Sequence, residues 1–429
     1  MRSLKKAIAL LLTAVLAMGL MACGGSGSGT KETKAPETKK TQTQGETKAP
    51  ETTAGDETPA ATDAPDQTEA EGGSAQGQIP LDGSWPEEKV KIGFVAFDTT
   101  ADQYLACMDY FDYLSNYFNI EIMSSESLAD AEGELNFISD CAAAGCKAII
   151  GYYNEGKAES AKAAMDLGMY YWGGFGGDQE AYNAVKDNEL YLGGYTLGDA
   201  EYNAGRSMAE ALIEQGCEKI ALCSGGAAFG VPMFVDRTAG FNDAVKEAQD
   251  AGKTVEVVHT VEGWPGTDSF TADQAAVLDM DIDAIASTFD VAMWFQPLMN
   301  SPKAGSVKLA AIGEVGDTYH DFFNDGVVTC IVYDCEEVVF GNAIPMILNA
   351  VNGDGDVVRN SDGTAALFPV QRWTVTNSDE YNAIYNLHDG GSYVVTGEDV
   401  AQLIKAYNPD TTAEKFFEYY GSLSVDAVK

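Results

Sequence analysis

Val90-Lys91-Ile92-Gly93-Phe94-Val95-Ala96-Phe97 is a nearly unbroken apolar run, and it opens a series. Comparable runs follow at Ile120 to Met123, Ala148 to Tyr153, Met169 to Trp172, Ile220 to Cys223, Val255 to Thr260, Ala284 to Ser287, Val307 to Ile312 and Val328 to Val332. Alternation of apolar and polar residues would mean strands with one wet face. Short continuous runs mean strands covered on both faces, the condition of a parallel sheet. Between them apolar residues recur at helical spacing, as in Ala204, Met208, Ala211 and Leu212 or Phe234, Phe241, Ala244 and Val245. Several of these segments end on Gly168, Gly216 or Gly252, the expected stop just past a last helical turn. A β-α-β-α succession over about 290 residues is too long for one small sheet, so the pattern predicts an α/β protein of two doubly wound, Rossmann-like lobes with parallel sheets.

Upstream of that region the chain changes character twice. Residues 1–6 carry Arg2, Lys5 and Lys6, and residues 7–20 are apolar apart from Thr13 and Gly19. A core of that length suits an export signal and falls short of the ~20 residues a spanning helix needs. Leu20-Met21-Ala22-Cys23 with Gly24-Gly25 behind it resembles the lipobox of bacterial lipoproteins, which implies cleavage before Cys23, a lipid on its thiol and a chain held outside the cell membrane. Residues 24–84 contain no aromatic residue before Trp85 and repeat Glu-Thr-Lys-Ala-Pro-Glu-Thr at 32–38 and 46–52. Such a stretch cannot bury enough apolar surface to offset its conformational entropy and reads as a disordered tether. Its mean span would be about 40 to 45 Å.

Charge excludes whole classes of partner. The 429 residues hold 26 Lys and Arg against 66 Asp and Glu, a formal charge of -40, and removal of residues 1–22 leaves 23 basic side chains against the same 66. Such a surface repels phosphate, so nucleic acid and electrostatic docking on anionic lipid are not expected. Apart from Cys23 there are seven cysteines, at 107, 141, 146, 217, 223, 330 and 335, most in apolar segments, without the CxxC spacing of a zinc or redox site. They read as buried free thiols, with one disulfide still open.

Topology says where a ligand would sit: beyond the carboxyl ends of the strands, where helix N-termini face the crevice. The residues at those positions are Asp98, Thr100 and Tyr104 after the first run, Tyr152 and Tyr153 after the third, and Trp172 and Phe175 after the fourth. The second lobe offers Phe229, Arg237, Trp264, Phe289, Asp290, Trp294 and Glu314, with Tyr333 and Asp334 near a crossing. Flat rings and charged acceptors suit an uncharged sugar, polyol or nucleoside. Tyr152 and Phe289 read equally as core, and Asp98 and Asp290 equally as helix caps. The indoles lean toward the ligand because tryptophan is rarely fully buried.

Several stretches together resemble the type I periplasmic binding proteins, in particular the ribose-type sugar-binding lipoproteins of ABC importers. They are Lys91 to Val95, Cys141-Ala-Ala-Ala-Gly-Cys-Lys-Ala-Ile-Ile150, Arg237-Thr-Ala-Gly-Phe241, Ala310-Ala-Ile-Gly313 and Phe368-Pro-Val370, in that order. The resemblance covers residues 89–376 and leaves 377–429 outside as a helical extension with a candidate cap at Thr396 to Asp399. It implies a first lobe of residues 85–195 with 335–367, a second of 196–334 with 368–376, and a hinge of three crossings that includes Tyr195 and Thr196. It implies Arg237 as a ligand contact, a membrane ABC permease as partner and a monomer that closes on its ligand. Trp172-Gly-Gly-Phe175 and Phe289-Asp290 depart from the ribose pattern, so a ligand with a more hydrophobic face than ribose is expected.

Other classes are disfavoured residue by residue. His259, His320 and His388 form no HExxH, there is no G-x-S-x-G elbow, and Gly173 to Gly177 lacks a following Lys, so an enzyme is not expected and no cofactor is implied. Asn352-Gly-Asp-Gly-Asp356 begins like a calcium loop, but Val357 and Gly363 stand where its Gly and Glu belong, so no metal is expected. A ligand-sensing receptor, or less readily a surface glycoside hydrolase, is the alternative reading.

Overall fold

The computed structural model describes residues 79–428 apart from position 153. The expected leader, Cys23, the tether up to residue 78 and Tyr153 lie outside the described residues.

Sheet one takes β1 (Val90–Val95), β2 (Ile120–Ser124), β3 (Ala148–Gly151), β4 (Tyr170–Trp172) and β5 (Tyr191–Thr196), connected through α1 (Asp102–Leu114), α2 (Ala131–Ala143), α3 (Ala158–Asp166) and α4 (Gln179–Asn183). The chain then crosses over through α5 (Ala200–Glu214). Sheet two takes β6 (Lys219–Gly225), β7 (Glu256–Glu262), β8 (Ala284–Ser287), β9 (Lys308–Gly313) and β10 (Val328–Asp334), with α6 (Pro232–Asp250), α7 (Asp268–Asp279), α8 (Phe295–Met299) and α9 (Asp317–Asn324) between them. A second crossing leads into α10 (Glu336–Phe340) and α11 (Ala343–Val351), after which β11 (Leu367–Pro369) joins sheet one and β12 (Arg372–Val375) joins sheet two.

Strand order is β2-β1-β3-β4-β5-β11 in one sheet and β7-β6-β8-β9-β10-β12 in the other, parallel throughout except for β12 against β10. Both are doubly wound, as the apolar runs predict, and each reverses direction beside its first strand, opening a crevice there. All nine runs fall on strands. The strands they miss have local causes. In β5, a Cβ on Gly193 would lie 1.9 Å from the Ala366 carbonyl oxygen, so the sequence trades apolar bulk for close approach of β11. β11 and β12 are too short to show a period. The run at 255–260, which reads as covered on both faces, is an edge strand with most of β7 half-exposed or exposed.

Alternate side chains of sheet one feed two layers. Ile92, Phe94, Ile150 and Trp172 pack with α1, α10 and α11, while Val95, Ile149, Tyr171 and Tyr191 pack with α2 and α3. Burying one such side chain stabilises by about 1.5–3 kcal/mol relative to leaving it exposed. The seven described cysteines are all free and buried, so they pack as small hydrophobes.

In the second lobe α5 and α6 touch backbone to backbone. A Cβ on Gly205 would sit 1.8 Å from the Arg237 carbonyl oxygen, and one on Gly240 would sit 1.9 Å from that of Tyr202. That contact sets Glu201 beside Arg237.

The extension folds as α12 (Ser378–Asp389), α13 (Gly397–Gln402) and α14 (Ala413–Ser422). Asn377 caps α12, and Thr396 with Asp399 forms a capping box on α13. Tyr385 donates to Asp317 of α9 (2.7 Å), Tyr110 of α1 donates to the Val395 carbonyl (3.0 Å), and Phe417 stacks on Phe368 of β11 at 4.6 Å. The segment is thus anchored on elements of both sheets.

Candidate functional site

The loop after β1 is self-contained. Asp98 accepts from the Thr100 amide (2.8 Å) and hydroxyl (2.7 Å), so these two residues spend their polar groups on a turn that leads into α1. Tyr104 donates to Ser124 at 2.9 Å and lies against Phe94. The ends of β3, β4 and β5 supply an aromatic floor: Tyr152 stacks on Phe94 at 5.4 Å, and Trp172 meets Tyr195 at 6.1 Å and Phe340 at 5.7 Å. Trp172 is 0% exposed, as is Trp294. The general reluctance of indoles to be fully buried does not apply to either: Phe340 of α10 packs on the first and Phe270 of α7 on the second. Phe175 turns to the far face of sheet one and stacks on Tyr191 at 5.5 Å.

In the second lobe Phe234, Trp264 and Phe289 form a mutual edge-to-face cluster with centroids 4.9 to 6.0 Å apart. Phe229 stands exposed. Asp290 accepts from the Ala292 amide at 2.8 Å and from the Tyr319 hydroxyl, so it caps a turn and holds a ring at once. Arg237, 7% exposed, binds Glu201 through Nε and donates to the Thr288 carbonyl at 2.8 Å. Arg372 of β12 completes the group, donating to both oxygens of Glu201 (2.7 and 3.0 Å) and to Asp334 (2.7 Å). Burial pushes the Glu201 carboxyl up, but the hydrogen bonds and charges of the two arginines outweigh it and hold it below its ordinary range. Arg237 and Asp334, both expected at the ligand, are therefore linked through Glu201 and Arg372 within lobe two.

Beside this network lies a cavity of about 330 Å³, near the lower end for small-molecule sites. It is bounded by α1, the β9–α9 loop, the end of β10, the start of α10 and the extension residues His388 and Tyr393. Of the expected residues that are described, Glu314 and Tyr333 line it. Asp290 touches it through Tyr319, and Asp334 is near enough to act on Glu314 by charge. Asp98, Thr100, Tyr104, Trp172, Phe175, Trp264 and Trp294 stand elsewhere.

Six carboxylates line the cavity: Asp102, Asp109, Glu314, Asp317, Glu336 and Glu337. Among the described lining residues there is no Lys or Arg, and His388 is paired with Glu337 at 2.9 Å. Burial, reinforced by Asp334 and Asp102, pushes the Glu314 carboxyl well above the usual range. Burial, with Glu314 and then Asp334, does the same to Glu336, and burial with Asp290 raises Asp102.

Sequence reasoning missed Glu336 and Glu337 although they follow directly on Asp334-Cys335, where the strand-end rule that found Tyr333 would have reached them. Glu201 and Arg372 carried no signal, being 171 residues apart in the chain.

No protein-family profile matches the chain, and no curated protein does. Solved structures do. A periplasmic solute binding protein of an ABC transporter from Actinobacillus succinogenes 130z, with bound D-allose, superposes with TM-score 0.54 at 15% identity over 68% of this chain and 99% of its own. A galactofuranose binding protein gives 0.50 at 15% over 71% and 100%. An ABC transporter solute binding protein from Bacillus halodurans C-125, with bound myo-inositol, gives 0.51 at 14% over 71% and 98%. The motif resemblance therefore holds at the level of architecture: the chain has the two-lobe α/β fold of the type I periplasmic solute-binding proteins.

Proposed function

We propose that the chain is the extracytoplasmic binding component of an ABC importer, tethered by lipid on Cys23, which captures a small polyhydroxylated ligand between two lobes and presents it to a membrane permease without altering it. The observation that carries this reading is the cavity bounded by α1 and α10 on one side and the β9–α9 loop on the other, with hydrogen-bonding side chains and rings converging on it. The sugar and inositol ligands of the structurally similar proteins support it. Among the described residues no helix is long and apolar enough to cross a membrane.

In this reading lobe one is residues 85–195 with 335–367, lobe two is 196–334 with 368–376, and the crossings near Tyr195-Thr196, Tyr333-Asp334 and Leu367 to Val370 form the hinge, Phe368 and Pro369 of the last one still pairing with β5 of sheet one. A ligand that touches both lobes favours the closed form by its difference in affinity for the two forms. Micromolar binding needs about 8 kcal/mol net, within reach of several charge-assisted hydrogen bonds at roughly 1.5–3 kcal/mol each after ordering costs. Isothermal titration of the full chain with hexoses, pentoses, cyclitols and nucleosides tests the proposal. Saturable binding without turnover supports it; heat from none of them, or conversion of any of them, removes it.

A further inference from the structure

The cavity's charge narrows its ligand further than hydroxyl recognition requires. Both arginines of lobe two spend their hydrogen bonds on Glu201, Asp334 and the Thr288 carbonyl, so neither pairs with Glu314 or Glu336, and Arg372 acts on those two only by charge, without outweighing their burial. Glu336 is 6% exposed yet faces the cavity, and its one donor is the Cys107 thiol at 3.7 Å from Oε2, a weak partner. Its other oxygen has no hydrogen-bond partner among the described residues. A carboxylate taken out of water without a counter-charge is costly, and a second one facing it raises the cost. Glu336 begins α10, which packs on α1 of lobe one, while Glu314 follows β9 of lobe two. The two therefore meet across the cleft.

Resting on the capture reading above, we propose that the ligand carries a primary ammonium group, as an amino sugar or aminocyclitol does, and that this group is seated between Glu314 and Glu336. The same arrangement couples binding to closure. In the empty protein the two carboxylates, with Asp102 opposite Asp290, repel across the cleft and favour opening; an ammonium between them reverses the sign. Hydroxyls on the remainder of the ligand meet Asp317, Thr318 and Tyr333, and ring carbons meet Tyr110 and Tyr319. A buried ammonium between two carboxylates makes charge-assisted hydrogen bonds about twice as strong as neutral ones.

The test is paired titration of the full chain in detergent at pH 7.5 with D-galactosamine against D-galactose, D-glucosamine against D-glucose, and 2-deoxystreptamine against myo-inositol, with calcium chloride alone as a further arm. At least one amine is expected to bind roughly tenfold or more tighter than its hydroxyl partner. Glu336→Gln and Glu314→Gln are each expected to erase that preference, bringing the amine and its hydroxyl partner to within about threefold of each other, with thermal melts showing that both variants fold. Equal or better binding of the hydroxyl compounds overturns the ammonium and leaves the capture reading intact. Calcium binding that Glu336→Gln abolishes, with no amine preference, also overturns it. Silence from every compound removes the capture reading and this inference with it.

Discussion

Two groups of carboxylates lie side by side in this protein and are treated in opposite ways. Glu201 and Asp334 are met by Arg237 and Arg372 in a closed set of hydrogen bonds, and Glu201 is held below the ordinary carboxylate range. Glu314 and Glu336 face a cavity, accept no hydrogen bond from a basic side chain among the described residues, and are pushed well above it, chiefly by burial, with Asp334 adding to both and Glu314 to Glu336. Each group joins one buried carboxylate, Glu201 or Glu336, to a half-buried one, Asp334 or Glu314. What differs is the counter-charge, and a structure that supplies it in one place and withholds it in the next is built to receive it from outside.

The largest effect expected from breaking this contrast is on the neutralised side. Arg372→Met leaves Glu201 with one arginine and Asp334 with none, and a buried ion network cut on one side typically costs about 3–5 kcal/mol. The melting temperature should fall by roughly 10 °C, read by circular dichroism; a fall under about 2 °C would mean that the network carries little.

On the other side the sign is reversed. A carboxyl whose folded pKa is raised is most favourable to folding below its ordinary value, near pH 4.5, and loses that advantage as pH rises toward the folded value. Glu336→Gln should therefore raise the melting temperature of the empty protein at pH 7.5 by about 2 °C or more, and the gain should shrink toward pH 4.5. A variant less stable than the parent at pH 7.5 contradicts the raised pKa.

Binding sharpens the comparison through pH. Facing Glu336 are Asp102 and Cys107 on α1, Tyr152 after β3, Glu314 after β9, Tyr333 and Asp334 on β10, Arg372 on β12, and His388 on α12 by way of Glu337. Lowering pH through the raised values of Glu314 and Glu336 discharges them, so affinity for an amino sugar should weaken as pH falls toward the ordinary carboxylate range, while that for a neutral sugar stays nearly flat. A flat profile for the amine would show that these carboxylates do not contact it.

The smallest effect is expected outside the cleft, on the same helix pair. Arg206 of α5 holds Glu247 of α6 with Nη1 at 2.9 Å, echoing Glu201 and Arg237 with the polarity exchanged but in open solvent. Glu247→Gln should leave the melting temperature unchanged within error, since exposed pairs are screened and contribute little. A clear fall would erase the distinction drawn between buried and exposed pairs.

The architecture could be read from the chain because burial on both faces forces continuous apolar runs, which survive in sequence as a local signal. β5 escaped because Gly193 serves a backbone contact with Ala366, a long-range demand that looks locally like a loop. The site was legible only where position alone decides it. Glu314 follows the end of β9, Tyr333 stands one residue before the end of β10, and both line the cavity. Arg237 and Asp334 are also expected there, but Arg372, distant in sequence, ties Asp334 into the lobe directly and Arg237 through Glu201. Whether a strand-end residue faces a ligand or a partner side chain depends on contacts between distant segments, and no spacing records those.

The most direct measurement is small-angle scattering of the full chain in matched detergent, with and without saturating amino sugar at pH 7.5. A smaller radius of gyration is expected with the compound and no change with Glu336→Gln. Identical curves for the parent protein under demonstrated binding would contradict closure between two lobes.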